Sequence, residues 1–215
     1  MLRLLYKEIV LTSSPLTYFF LLFSLITLIP GYPILVSGFF ICLGIFYSFQ
    51  TGREYSDIFY TALLPVRKAD VVHAKYAFTV AIQLLSLLLS SLLVVLRMTV
   101  LRDAAPYTAN SLMNANLAYL GYLLLIFALF NMIFLPGFFK TAYYIGRPFI
   151  LFLIAAFFTV GIGETLHHLP SLNGLNDTQF RIVQIPVFLL GLLIYLVGTP
   201  LSCKCAEKRF DRIDL

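Results

Sequence analysis

Uncharged apolar runs, separated by short polar or proline- and glycine-rich breaks, repeat along the whole chain. A bilayer core needs roughly 20 apolar residues of helix, fewer in a short or broken span. Six runs approach that length: Leu16–Ile29, Pro33–Phe49, Ala77–Leu96, Leu117–Pro136, Phe149–Gly163 and Ile182–Leu201. The pattern predicts an all-α polytopic membrane protein with six transmembrane helices. Pro30-Gly31-Tyr32-Pro33 predicts a tight turn that joins the short first run to the second as a hairpin. Residues 1–15 read differently. Leu2, Leu5 and Ile9 share one face of a helical wheel, with Lys7 opposite and Arg3 and Glu8 on its flanks. Such charge density is costly inside lipid, so this stretch is expected to be an interfacial amphipathic helix, ended by Pro15.

Composition agrees. Of 215 residues, 60% are apolar and 12% charged, with a mean hydropathy of +0.93. A soluble domain of this size could not hide that much apolar surface. Disordered, collagen-like and disulfide-scaffold classes are excluded, since Cys42, Cys203 and Cys205 form no paired framework. The start lacks the small-residue cleavage site of a signal peptide. The net charge of +5 is a topology signal rather than a nucleic-acid signal. Twelve basic residues fall on the side holding the N-terminus, residues 50–76, residues 137–148 and the C-terminus, against Arg97, Arg102 and Arg181 on the other. That bias places both termini in the cytoplasm, as an even span count requires. A single domain over residues 1–215 is expected: interfacial helix 1–15, first two spans within 16–49, cytoplasmic loop 50–76, third and fourth spans within 77–136, cytoplasmic loop 137–148, last two spans within 149–201 around an outer segment 164–181, and cytoplasmic tail 202–215.

The expected spans carry no Asp, Glu, Lys, Arg or His at mid-depth. Proton relays and ion-coupled carriers use ionisable groups there, and an intramembrane protease needs a base beside its nucleophile. Neither class fits. The few polar residues inside spans include Gln83, Ser86, Ser90, Asn131 and Thr159. Two roles are open to Gln83 and Asn131: hydrogen bonding between helices, or lining a weakly polar substrate passage. Phe and Tyr, 34 in all, either pack the bundle or line a greasy path. No Gly-x-x-x-x-Gly-Lys-Ser/Thr run exists, so a nucleotide-driven activity would draw on another chain.

The loop over residues 50–76 holds the most information. Arg53 to Leu64 is expected to form a short helix, with Arg53, Glu54 and Asp57 in a polar set and Ile58, Phe59, Ala62 and Leu63 in an apolar one. Pro65 stops it, and a second helix starts near Lys68 and continues into the third span. A short two-faced helix at the membrane surface suits docking of a partner.

The stretch Asp57…Tyr60…Leu64-Pro65-Val66-Arg67-Lys68-Ala69-Asp70-Val71-Val72…Lys75-Tyr76 resembles a signature of the permease subunits of type-2 ABC exporters, one residue shorter between Val66 and Arg67 than the commonest form. Leu135-Pro136-Gly137-Phe138-Phe139-Lys140 with Gly146-Arg147 resembles the family's link between the fourth and fifth spans. Leu201-Ser202…Lys204…Glu207-Lys208-Arg209-Phe210-Asp211 resembles its basic C-terminal end. The resemblance implies a bacterial plasma-membrane permease with no catalytic residues and no cofactor or metal of its own. ATP and magnesium would be bound by two copies of a partner ATPase. It implies a second permease chain, a homodimer rather than a heterodimer, and a coupling helix within residues 50–76 that the ATPase moves as a lever. Carried over, the coupling residues are Glu54, Asp57, Tyr60, Leu64, Arg67 and Lys68. A membrane scaffold or sensor subunit that docks an ATPase without transporting is the alternative. The uncharged spans point to a peptide or lipid-like cargo rather than sugars or ions.

Three smaller features remain. Glu164, His167 and His168 have the spacing of one helical face, yet one such cluster lacks a full metal-ligand set, so a solvated helix end is expected. Asn176-Asp177-Thr178 is a formal glycosylation sequon. Cys203 and Cys205 are expected to be plain thiols, with acylation the alternative.

Overall fold

A computed structural model describes residues 2–108 and 110–213; of Ala62 it describes only the backbone. All regular elements among these residues are helical. Helix α1 (Leu2–Thr12) meets α2 (Pro15–Leu28) at an angle of 91°. The bend has a local cause. Pro15 occupies the first helical turn, and Ser14, extended at φ −81° and ψ 139°, caps α2 by accepting the Leu16 N–H at 3.3 Å. The expected break at Pro15 is thus observed.

Helix α2 begins as α-helix and tightens to 3-10 geometry over Leu21–Leu28. Gly31, at φ +73°, turns the chain into α3 (Val36–Glu54). The two pack as the expected hairpin. The Thr17 hydroxyl donates to the Gly44 carbonyl at 2.6 Å and lies 2.7 Å from Ser48 Oγ. A methyl group at Gly44 would stand 2.7 Å from Phe20 Cβ, so only glycine admits this approach.

The expected helix from Arg53 to Leu64 is divided in two. Arg53 and Glu54 complete α3, Tyr55 and Ser56 form a break with Ser56 at φ +53°, and α4 covers only Asp57–Ala62. The left-handed backbone at Ser56 cannot continue a right-handed helix. Helix α5 (Lys68–Thr99) starts where expected and runs on through the third apolar run for 32 residues. Helix α6 (Leu117–Phe138), α7 (Gly146–Leu166) and α8 (Gln184–Asp211) follow. Segment 164–181 holds the end of α7 and a single 3-10 turn at Asn173–Asn176.

Among the described residues four helices, α5 to α8, are each long and apolar enough to cross a membrane, and five spans result if the bent pair α1–α2 counts as one. The first two expected runs fall short individually for different reasons. Helix α2 is brief, and α3 ends in the polar stretch Gln50-Thr51-Gly52-Arg53-Glu54.

Helix α6 is the hub. Of the residues in its most apolar stretch 72% are buried, against 22–33% in the other three long helices, and it packs against α3, α5, α7 and α8. Its contact with α8 brings backbone against backbone at Gly121 and Gly191. On its other flank, phenylalanines fill the space to α3 and α7: Phe46 stacks on Phe149 at 4.1 Å, and Phe134 meets Phe49 edge-on at 5.2 Å. These rings are packing residues.

In the middle of α6 a π-turn spans Phe130–Phe134, where the Leu135 N–H bonds to Phe130 O instead of Asn131 O. The Asn131 carbonyl is thereby released from the ladder. Ser202 of α8 donates to it, and Tyr76 of α5 donates at 3.4 Å while also sitting 2.7 Å from Ser202 Oγ. A freed carbonyl inside an apolar bundle would otherwise be costly, so the irregularity is answered by hydroxyls from two neighbouring helices.

Candidate functional site

Helix α1, the end of α3, helix α4 and the start of α5 converge at the end of the bundle that carries most of the basic residues. Four charges organise that junction. Lys75 Nζ donates to Glu8 Oε2 at 2.8 Å and to Asp57 Oδ2 at 3.0 Å. Lys7 Nζ donates to Asp57 Oδ1 at 2.6 Å and to Thr61 Oγ1 at 2.9 Å, and lies 3.0 Å from Glu8 Oε1. Lys75 also stands 5.5 Å over the Phe49 ring. Glu8 and Lys75 are each 3% exposed. Two cations and two anions balance, so no net charge is buried. Burial raises the Asp57 carboxyl, but Lys75 and Lys7 outweigh it and hold it below its ordinary value of 3.8. It is therefore ionised at neutral pH.

This network orients α1 and α4. The charged side of α1 is turned into the protein through Lys7 and Glu8, while Leu2, Tyr6, Val10 and Leu11 are exposed. The expected amphipathic character is present over Leu2–Thr12, with Lys7 and Glu8 spent on the protein and Arg3 left exposed. On α4, Asp57, Ile58 and Thr61 face inward, and the Thr61 hydroxyl folds back to the Asp57 carbonyl at 2.7 Å. The opposite side presents Phe59, Tyr60, Leu63 and Leu64, with Tyr55 beside them; Tyr60 is 65% and Leu63 70% exposed. A groove of about 520 Å³ runs between α1 and α4, lined by Leu11, Tyr55, Tyr60, Leu63 and Leu64 among others.

The six coupling candidates from the sequence separate by position. Tyr60 and Leu64 lie on the outward face. Glu54 is exposed at the end of α3 and accepts the Gln50 amide at 3.1 Å. Arg67 is exposed and makes a two-point pair with Asp70, at 3.0 and 2.9 Å. Asp57 is turned inward as the anchor just described. Lys68 reaches the chain end, donating to the Ile213 carbonyl at 2.6 Å and lying 6.0 Å over the Phe210 ring. Sequence reasoning misses Glu8 and Lys75 as anchors. The available signal is Lys75 itself, a lone charge among Val71, Val72, Ala74, Tyr76 and Phe78, all buried.

A family model described as "ABC-2 family transporter protein" matches residues 3–207. The chain belongs to the ABC-2 transporter membrane family. The match covers the apolar runs and the α4 segment of this ABC-2 subunit and ends within its basic tail, after Lys204. No curated protein and no solved structure matches the chain.

Inside the ABC-2 bundle, Gln83 of α5 and Asn131 of α6 pair their amides reciprocally at 2.9 Å in both directions, with neither side chain exposed. Tyr195 donates to Gln83 Oε1 at 3.0 Å, and the Asn131 amide donates to Thr199 Oγ1 at 3.0 Å. The two residues meet within their own chain and tie α5, α6 and α8 together. Glu164, His167 and His168 form no three-ligand cluster among the described residues. Glu164 accepts the Met113 N–H at 2.9 Å, and His167 faces the Ser111 carbonyl at 3.1 Å. They lie at the end of the bundle away from α4, with Arg97, which donates to Asn114 Oδ1 at 3.1 Å and lies 3.5 Å over the Tyr107 ring.

Proposed function

We propose that this chain is the transmembrane subunit of an ATP-driven ABC exporter that moves an amphipathic, peptide or lipid-like substrate out of the cytoplasm, with ATP hydrolysed by partner subunits. The observation that supports this reading is the outward face of α4. A six-residue helix cannot hold itself in water. Here it is pinned from inside by Asp57 and Thr61 and keeps an aromatic and aliphatic surface exposed. Such a surface fits a cleft on an ATPase, and the buried ion network makes α4 a rigid extension of α5, so a push on α4 reaches the bundle.

In this reading α2 and α3 act as the first two of six spans. The 3-10 stretch helps, because it rises about 2.0 Å per residue against about 1.5 Å in an α-helix, so α2 reaches roughly 25 Å. Two permease chains pair, as a homodimer, with two ATPase subunits. The exposed apolar side of α7, with Ile154, Phe157, Phe158 and Ile162, is the face available to the second chain. The cell membrane is bacterial, with both termini inside.

The decisive experiment is co-purification with the ATPase encoded beside this gene. Tyr60→Ala with Leu64→Asp should leave the permease inserted and its melting temperature within about 2 °C of wild type, since surface changes move stability by under about 0.5 kcal/mol. ATPase recovery and substrate-stimulated hydrolysis should fall about tenfold, a loss of about 1.4 kcal/mol of docking energy. Undiminished complex yield in that double variant removes α4 as the docking element. An ATPase that docks without any transport would favour the scaffold reading.

Topology has its own test. A cysteine at Asn173 should react with an impermeant thiol reagent on intact cells, and one at Thr141 only after the membrane is opened. The reverse pattern inverts the orientation inferred from the basic residues.

A further inference from the structure

Where α8 emerges beyond Pro200 it runs beside the first turns of α5, and there three side chains of different chemistry converge. His73 of α5 and Cys203 and Glu207 of α8 place one donor atom each within 4.8 Å of the others. Two contacts meet on the same oxygen: His73 Nε2 lies 2.6 Å from Glu207 Oε1, and Cys203 Sγ donates to it at 3.7 Å. Each side chain is partly buried, so the group is reachable from water yet held by its helices. Cys203 and Glu207 are four apart on α8 and share a face; His73 comes from the neighbouring helix.

We propose that His73, Cys203 and Glu207 form a binding site for a divalent metal ion of the zinc type. Imidazole, thiolate and carboxylate together match zinc and cobalt rather than magnesium or calcium, which take oxygen ligands. The geometry is close to what an ion needs. Tetrahedral ligands about 2.0–2.3 Å from zinc stand about 3.3–3.8 Å apart, so the His73–Glu207 separation of 2.6 Å has to widen by about 0.7–0.8 Å, within reach of a rotation of the Glu207 carboxylate. The hydrogens that now bridge the three ligand atoms give way to the cation: the thiol proton is released to solvent, the proton on His73 Nε2 leaves to solvent while Nδ1 is protonated, and the neutral imidazole binds through Nε2. Three protein donors leave the fourth position for water or a further ligand. The ion would fasten α5, five residues after its start at Lys68, to the tail end of α8. It would thus act on the helix next to the α4 surface, although the metal site itself does not depend on the export reading.

The test uses the full-length permease purified in detergent through a tag without histidines, stripped with chelator and kept reduced. Titration with Co2+ alone should give one ion per chain, with a thiolate-to-cobalt charge-transfer band, and Zn2+ should displace it. Cys203→Ser should abolish the band. His73→Gln and Glu207→Gln should each weaken cobalt binding by about tenfold or more. Cys205→Ser should change nothing, because two residues along a helix is a rotation of about 200°, which points that thiol away. Gel filtration checks that each variant is folded. Absence of the band in the folded wild-type protein overturns the site without recourse to any variant. A band that survives Cys203→Ser, or that Cys205→Ser removes, also overturns it. ATPase docking is not part of the readout, so failure here leaves the exporter reading standing, and the converse holds as well.

Discussion

Replacing Lys75 with methionine is expected to cost about 3–5 kcal/mol of stability, the usual penalty for stranding a buried charge. Methionine keeps the length of the stem, so the loss is electrostatic rather than steric. Lys75 is 3% exposed and holds both Glu8 and Asp57, at 2.8 and 3.0 Å. Without it, two carboxylates share Lys7 alone, and one negative charge is left inside the protein. Adding Glu8→Gln restores neutrality, so the double variant should recover most of the lost stability. Replacing a balanced buried pair by neutral groups is often tolerated. Thermal unfolding of the detergent-solubilised protein measures both. The same pair separates structure from coupling: α4 loses a firm anchor in the single variant, so ATPase recovery should drop with stability and return with it in the double. If Lys75→Met melts within a degree or two of wild type, the ion network is not what holds α4.

A methyl group at Gly191 should be equally damaging by a different mechanism. A Cβ there would sit 2.2 Å from the Gly121 carbonyl oxygen and 2.9 Å from its carbon. The obstacle is backbone, so it cannot swing aside as a side chain would. Helices α6 and α8 must separate by about 1 Å, which loosens the Gln83–Asn131–Thr199 bonds and the hydroxyls on the Asn131 carbonyl. Overpacking alone costs about 1–3 kcal/mol, and the polar contacts add to it. Gly191→Ala is therefore expected to cost about 3 kcal/mol or more. Gly161→Ala is the control, since nothing lies within 4 Å of a Cβ at that position and alanine favours helix by about 1 kcal/mol. In the isolated chain it should be neutral or stabilising. A Gly191→Ala protein as stable as wild type would show that the two helices are not in backbone contact.

Much of the architecture was legible in the residues. The bends at Pro15 and at Pro30–Pro33, the start of α5 at Lys68 and the four long apolar helices all follow from local rules about proline, glycine and uncharged runs. The α4 segment was visible as a short two-faced helix, although its first turn was misplaced, because a left-handed serine carries no sequence mark. Of the six coupling candidates, Tyr60, Leu64, Glu54 and Arg67 are exposed, Asp57 is turned inward, and Lys68 bonds to the tail.

By itself, then, the sequence determined that this is an all-helical membrane protein, where prolines and glycines break its helices, and which short segment stands apart from the bundle. These are consequences of forces acting between residues a few positions apart. Only the tertiary structure decided which apolar helix lies at the centre and which charges meet. Hydropathy cannot make the first distinction, because a side chain facing lipid and one facing another helix are equally apolar; α6 and α7 read alike, yet one is mostly buried and the other is not. Nor can spacing make the second. Lys7 finds Asp57 across 50 residues, Glu8 finds Lys75 across 67, and His73 finds Glu207 across 134. Each of these pairs exists because two helices were set side by side by packing, and in an apolar bundle the few polar groups then take the partners that packing leaves within reach.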